Sequence, residues 1–199
     1  MTLDATIRAV QAKLGVTVDG NPGQQTWTAI YRQVVGGAPQ TTDTPTLADA
    51  RSEQTIGTLL PQVQALARAL IESAAAIGIV IKIISGTRTF AEQDALYEQG
   101  RTKAGRIVTN ARGGYSNHNF GIAFDIGVFE GGRYLDESPA YKAVGALGMK
   151  LGLEWGGNWK TIQDEPHFQF RPAWARDMSE RDMLAELRAR HERGESAFA

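Results

Sequence analysis

The sequence predicts an α+β fold preceded by a small helical unit, and three observations carry that reading. Beyond residue 48, helical and strand-like segments interleave without the regular spacing of a βαβ array, which favours α+β over a doubly wound sheet. Residues 36–46 (Gly-Gly-Ala-Pro-Gln-Thr-Thr-Asp-Thr-Pro-Thr) are polar, hold Gly and Pro, and lack periodic apolar positions, so a boundary belongs there. The stretch ahead of it, about 35 residues, is too short to bury much core alone. The expected division is a helical module over 1–35, a linker over 36–47 and the main domain over 48–199.

In order along the chain, residues 4–14 place Ile7, Val10 and Leu14 at helical spacing, with Asp4 as N-cap and Gly15 as stop. Residues 16–23 form a turn-rich connector, and Trp27, Ile30, Tyr31 and Val34 mark a second helix. Pro61 opens a helix whose face is Val63, Leu66, Leu70 and Ala74, closed by Gly78. The β-branched run Ile79-Val80-Ile81-Lys82-Ile83-Ile84 reads as a buried strand. Thr89-Phe90-Ala91-Glu92 is a capping-box signature, and Gly100 ends the helix it opens. A strand is expected from Ile122 to Phe129, a turn at 130–133, and a helix from Ser138-Pro139 to near Gly152. His167 to Phe170 reads as a strand, and Ser179 with Asp182 caps a last amphipathic helix carrying Met183, Leu184 and Leu187.

Composition excludes several classes. The net charge of −1 and the lack of a basic run argue against nucleic acid. No apolar run approaches the roughly 20 residues of a membrane span. The N-terminus lacks a basic segment followed by an apolar one, so no signal peptide is expected and synthesis in the cytoplasm is. Without cysteine there is neither a disulfide framework nor a thiolate ligand.

The chemistry concentrates in two segments. Only three histidines occur, and two stand in Ser116-Asn117-His118-Asn119-Phe120-Gly121-Ile122-Ala123-Phe124-Asp125 and Asp164-Glu165-Pro166-His167-Phe168. Catalytic zinc takes three protein ligands and leaves a fourth position for water. With so few candidates, a zinc site would use His118, His167 and a carboxylate, and Asp125 stands beside His118. Gly121 lets the chain turn between them, while His167 arrives from another strand on which it shares a face with Gln169. Asp164 is then the acid/base, with Glu165 second. Any one histidine near a turn is more often a surface or core residue than a ligand; the joint occurrence of both segments shifts the balance. His191, among Arg188, Arg190 and Arg193, reads as solvent-facing. Arg88 follows a strand and precedes a helix, where a guanidinium suits developing negative charge. Its plainer reading is a surface pair with Glu92.

These residues carry a resemblance. Ser-x-His-x-x-Gly-x-Ala-x-Asp at 116–125, followed by Asp-x-x-His at 164–167, resembles the zinc signature of the M15 peptidoglycan peptidases, over roughly residues 48–175. The resemblance implies a zinc D-Ala-D-Ala-peptidase/hedgehog-like catalytic domain. It implies Zn2+ on His118, Asp125 and His167, and Asp164 as catalytic acid/base. Ser85-Gly86-Thr87-Arg88-Thr89 resembles the family loop whose Arg stabilises the oxyanion or binds substrate, and Ser116 would help hold substrate. Ser-Asn-His-Asn-Phe-Gly and Trp-Gly-Gly-Asn-Trp-Lys, the latter with Asn158 where Asp is usual, most resemble the L-alanyl-D-glutamate endopeptidases of phage endolysins. Trp155 and Trp159 read either as a cleft wall or as packing. Val10-Gln11-Ala12-Lys13-Leu14-Gly15, then Asp19-Gly20, Gly23 and Thr26, resemble about half of a peptidoglycan-binding module.

The expectation is a monomeric endolysin-type zinc peptidase whose partner is bacterial peptidoglycan. A holin-type pore-former, implied by the family, would release it to the wall. The rivals are a D-Ala-D-Ala carboxypeptidase of the same family and a non-catalytic wall-binding protein with structural zinc.

Overall fold

A computed structural model describes residues 2–20, 26, 29–30, 33–34 and 48–198. The chain divides into two compact units, Met1–Thr46 and Leu47–Ala199. In the first, helix α1 (Leu3–Leu14) is capped by Thr2, whose Oγ1 accepts from the Ala5 amide at 3.3 Å. Asp4, the expected cap, instead lies in the first turn and pairs with Arg8 at 3.0 Å. Gly15 ends the helix at φ 69°, a left-handed conformation that favours glycine. Trp27 and Tyr31 of the expected second helix, and the linker at 36–46, lie outside the described residues.

Residues quoted for the wall-binding resemblance knit this unit together. Buried Gln11 donates through Nε2 to Asp19 Oδ1 at 2.7 Å and Thr26 Oγ1 at 3.1 Å, and its Oε1 accepts from the Gly20 amide at 2.8 Å. A buried amide satisfied at both ends fixes a short unit that apolar burial alone could not.

The second unit builds a sheet against helices. Helix α2 (Ala50–Ile56), which the sequence reading left unassigned, is capped by Asp49 accepting from the Ser52 amide at 2.8 Å. Ser52 is buried and its Oγ accepts from the Ile83 amide at 3.1 Å, tying α2 to the first strand. Helix α3 (Pro61–Ala76) starts at its proline, and its buried face is Val63, Ala67, Leu70, Ile71 and Ala74; Leu66 is only partly buried. Strand β1 (Val80–Ser85) was expected to be buried throughout. It is an edge strand with Ile81 and Ile83 buried and Val80 and Ile84 exposed, because only one of its faces meets the core.

Helix α4 (Phe90–Glu98) carries the full capping box: the Glu92 amide donates to Thr89 Oγ1 at 3.2 Å, and the Thr89 amide to Glu92 Oε2 at 2.7 Å. There follow β2 (Ala123–Glu130), β3 (Arg133–Leu135), α5 (Ala140–Lys150), β4 (Glu154–Trp155), β5 (His167–Gln169) and α6 (Glu180–Glu192). The sheet runs β1-β2-β5-β4 with β3 on β2, every pairing antiparallel.

The main core joins Val63 and Leu70 of α3, Tyr141 and Val144 of α5, and Ile83, Phe124, Ile126 and Phe168 of the sheet. Helix α5 approaches the sheet closely at two glycines. A Cβ on Gly145 would lie 2.4 Å from Trp155 Cδ2, and one on Gly148 would lie 2.4 Å from Phe168 Cε1. A second cluster of Phe120, Ile122, Ala175, Met183 and Leu187 seats α6.

Candidate metal centre and its cleft

Three chain segments meet at Asp125. In β2 it pairs in register with Ser85 of β1 and with His167 of β5, and the β1 register shifts between Ile83 and Ser85. Such an irregularity re-aims side chains at the end of a ladder, and here it leads into the loop bearing Arg88. His118 comes from a 3-10 turn, Asn117–Phe120, which Gly121 closes at φ 69°. A side chain on Gly121 would also press within 3.1 Å of Leu60 Cγ. The Arg88 amide donates to the His118 carbonyl at 3.0 Å, fastening that turn to the Arg88 loop.

The donor chemistry is set by what lies behind each ring. His118 Nδ1 stands 2.8 Å from the Gly86 carbonyl, which can only accept, so Nδ1 carries the hydrogen and Nε2 presents its lone pair. His167 Nε2 stands 3.0 Å from Gln169 Oε1, which leaves His167 Nδ1 facing inward. Those inward nitrogens lie 3.3 Å apart and 3.2 and 3.1 Å from Asp125 Oδ1. The three donor atoms fall within 4.8 Å of one another. Three lone pairs directed at one point demand a shared cation, a proton or a metal ion, and two imidazoles with a carboxylate suit zinc.

Electrostatics agree. Burial works against ionising Asp125, yet the His118 and His167 imidazoles hold its carboxyl well below the usual range. Burial also works against charging His167, but Asp125 raises its pKa above the ordinary value. Asp164 shifts upward, first because burial penalises its charge and second because Asp125 repels it. Its amide donates to the Gly156 carbonyl at 3.1 Å and its carbonyl accepts from the His167 amide at 3.1 Å, fixing it beside the ligand strand.

The expected site residues Arg88, Ser116, His118, Asp125, Asp164 and His167 all line one cleft of about 1110 Å3. Arg88 does not pair with Glu92. Its Nη2 donates to Asp125 Oδ2 and Ser85 Oγ, both at 3.0 Å, its Nε to Ser85 Oγ at 3.3 Å and its Nη1 to Gln93 Oε1 at 2.9 Å. Asp125 thus turns one oxygen to the histidines and the other to Arg88. Of the five guanidinium hydrogens, one on Nη1 stays uncommitted among the described residues.

The two tryptophans divide the expected roles. Trp155 is buried, with Nε1 donating to the Glu165 carbonyl at 2.7 Å, whereas Trp159 is 38% exposed and packs on the His167 ring at 4.9 Å between centroids. His191 is exposed, as expected, and its ring rests on Phe90 at 4.9 Å.

Sequence reasoning missed the polar support behind His167. Gln169 Oε1 also accepts from Asn117 Nδ2 at 2.7 Å, and Gln169 Nε2 donates to Glu154 Oε2 at 2.7 Å. Arg171 bridges Glu154 and Glu180, reaching Glu180 Oε2 at 2.8 Å. The shared face of His167 and Gln169 was the available signal; the partners come from β4 and α6, remote in sequence.

The chain is similar to several known proteins. A family profile of the M15 peptidases, described as D-alanyl-D-alanine carboxypeptidase, matches residues 109–170. The peptidoglycan L-alanyl-D-glutamate endopeptidase CwlK of Bacillus subtilis is 41% identical over 126 residues, covering 57% of this chain and 74% of that protein. An L-alanyl-D-glutamate peptidase of Listeria phage A118 is 31% identical over 125 residues, covering 61% of this chain and 41% of that protein. Among solved structures, the Serratia marcescens L-Ala D-Glu endopeptidase ChiX aligns with a TM-score of 0.49 and 23% identity, covering 65% of this chain and 94% of that one.

Proposed function

The chain belongs to the M15 family of peptidases, and on that premise we propose that it is a zinc endopeptidase hydrolysing the L-Ala–D-Glu bond of peptidoglycan stem peptides. The observation that carries the reading is the convergence of His118 Nε2, Asp125 Oδ1 and His167 Nδ1 within 4.8 Å, in one cleft with Asp164. The family profile and the full-length relatives carry names for different bonds. We take the bond named for CwlK, which combines the higher identity with coverage of most of that relative's length.

Zn2+ held by those three side chains would supply Lewis acidity, polarising the scissile carbonyl and acidifying water. Gly86 and Gln169 fix the imidazole tautomers, and Arg88 fixes the Asp125 carboxylate. Asp164, its carboxyl raised toward neutrality, takes the proton of the attacking water and returns it to the departing D-Glu amine. The free Nη1 hydrogen of Arg88 meets the developing oxyanion. Ser116, on the cleft wall, binds the peptide. Residues 1–35 serve as a wall-targeting module joined through 36–47, raising the enzyme's local concentration on its polymer. The protein acts as a monomer on the wall, released through a separate pore-forming partner.

The test of the site separates metal binding from chemistry. Zinc content and cleavage of purified peptidoglycan are measured on His118→Ala, Asp125→Ala, His167→Ala and Asp164→Ala. The first three should lose zinc and activity together. Asp164→Ala should keep one zinc and lose activity by about 10²- to 10⁴-fold, the usual weight of a positioned acid/base. Full activity in Asp164→Ala would remove Asp164 as the acid/base, whereas a wild type that holds zinc and binds the wall without cleaving it would leave a wall-binding protein with structural zinc as the better reading.

A further inference from the structure

Resting on the endopeptidase reading above, we propose that Lys160 reads the free α-carboxylate of the D-Glu residue, so that the enzyme prefers stem peptides with an unmodified α-carboxylate over those carrying the α-carboxamide. In peptidoglycan the stem continues from the γ-carboxyl of D-Glu, which leaves the α-carboxyl exposed. The same α-carbon bears the scissile nitrogen, so the carboxylate enters the cleft only two bonds from the atom that Asp164 must protonate.

The cleft as a whole is rich in carboxylates. Asp125, Glu154, Asp164 and Glu180 all line the cleft. A substrate carboxylate there needs a cation, because like charges at short range in a partly dry site repel strongly. Among the described residues the cleft-lining cations are Arg88, Lys160 and Arg171. Arg88 is held by Asp125 at 3.0 Å, and Arg171 by Glu154 and by Glu180 at 2.8 Å. Lys160 has no ion pair or hydrogen bond among the described residues, which leaves it as the uncommitted positive charge of the cleft.

Its placement fits the task. The segment 156–164 is drawn into a loop by the Asp164 amide donating to the Gly156 carbonyl at 3.1 Å, and Lys160 sits midway along it. The preceding residue, Trp159, packs on the ring of His167 at 4.9 Å, holding this part of the loop against the ligand strand. Lys160 therefore lies on the same cleft-lining loop as Asp164, the group that returns the proton to the leaving amine in the endopeptidase reading. Trp159 and Ile162 on the same loop offer exposed apolar surface for the substrate's hydrocarbon beside the charge.

The test uses the full chain with zinc and two synthetic stem peptides, L-Ala-γ-D-Glu-L-Lys and its α-carboxamide counterpart, both with blocked amino termini. The wild type should favour the carboxylate in kcat/KM by about twofold to tenfold, the scale of a partly exposed ion pair, and the preference should shrink as salt is added. In Lys160→Met the ratio of the two kcat/KM values should fall to near one, and Lys160→Arg should restore it. Equal use of both peptides by the wild type, or a preference that survives in Lys160→Met, overturns the assignment while leaving the endopeptidase reading intact. Failure of the zinc-loaded wild type to cleave the L-Ala–D-Glu bond of either peptide overturns both.

Discussion

At the scale of single residues, the site works by giving each polar group one partner behind it and one task in front. His118 and His167 expose opposite ring nitrogens to the same point because Gly86 and Gln169 take their other hydrogens. Among the described residues the Asp164 carboxyl has no such partner, and its raised pKa follows from burial and from Asp125. A carboxyl whose pKa is higher folded than unfolded destabilises the native state once ionised. That cost is absent below the ordinary value of 3.8, where the group is protonated in both states, and is complete above the raised value. Asp164→Asn should therefore raise the melting temperature of the metal-free protein at pH 7, and the gain should shrink as pH falls through that window. A gain independent of pH would mean that ionisation of Asp164 is not its source. The residues of the candidate site were legible in the sequence because histidine is scarce and both motifs are short-range. Gln169, Asn117, Glu154, Arg171 and Glu180 were not, since their association depends on β4, β5 and α6 meeting in space. Arg88 was legible as a site residue, while its grip on Asp125 required the β1–β2 register.

Among the elements, local signals located most helices and three-dimensional context decided the rest. The capping box at Thr89 and Glu92 formed as read, since both bonds are made within four residues. Helix α2 escaped because seven residues give too little periodicity, and its one buried apolar side chain is Ile56. Strand β4 escaped because two residues carry no alternation. The β1 run reads as a buried strand from its composition, yet only one of its faces meets the core, and Val80 and Ile84 on the other are exposed. The approach of α5 to the sheet shows what propensity omits. Alanine in place of a mid-helix glycine ordinarily stabilises by about 1 kcal/mol. At Gly148 the new Cβ would stand 2.4 Å from the buried Phe168 ring. Gly148→Ala should destabilise by about 1–3 kcal/mol through overpacking. Because Phe168 is adjacent to His167, zinc affinity should fall as well. Chemical denaturation together with a zinc competition titration checks both, and a more stable variant with unchanged affinity would contradict the packing argument.

Over the whole molecule, two compact units, Met1–Thr46 and Leu47–Ala199, correspond to two separable tasks in the proposed function. The first is knotted by Gln11, Asp19, Gly20 and Thr26, so residues that prompted the wall-binding resemblance hold its fold. The second supplies a cleft in which Arg88 pairs with Asp125 and Arg171 with Glu154 and Glu180; in the proposed function Asp164 transfers the proton and Lys160 meets the substrate. The measurement that tests the central claim most directly is digestion of isolated peptidoglycan by the zinc-loaded protein, with and without chelator, followed by mass spectrometry of the new peptide termini. The account predicts chelator-sensitive release of stem peptides with D-Glu amino termini, leaving L-Ala on the glycan. Release of terminal D-Ala alone would make the protein a carboxypeptidase, and an intact wall under every metal condition would contradict the catalytic reading.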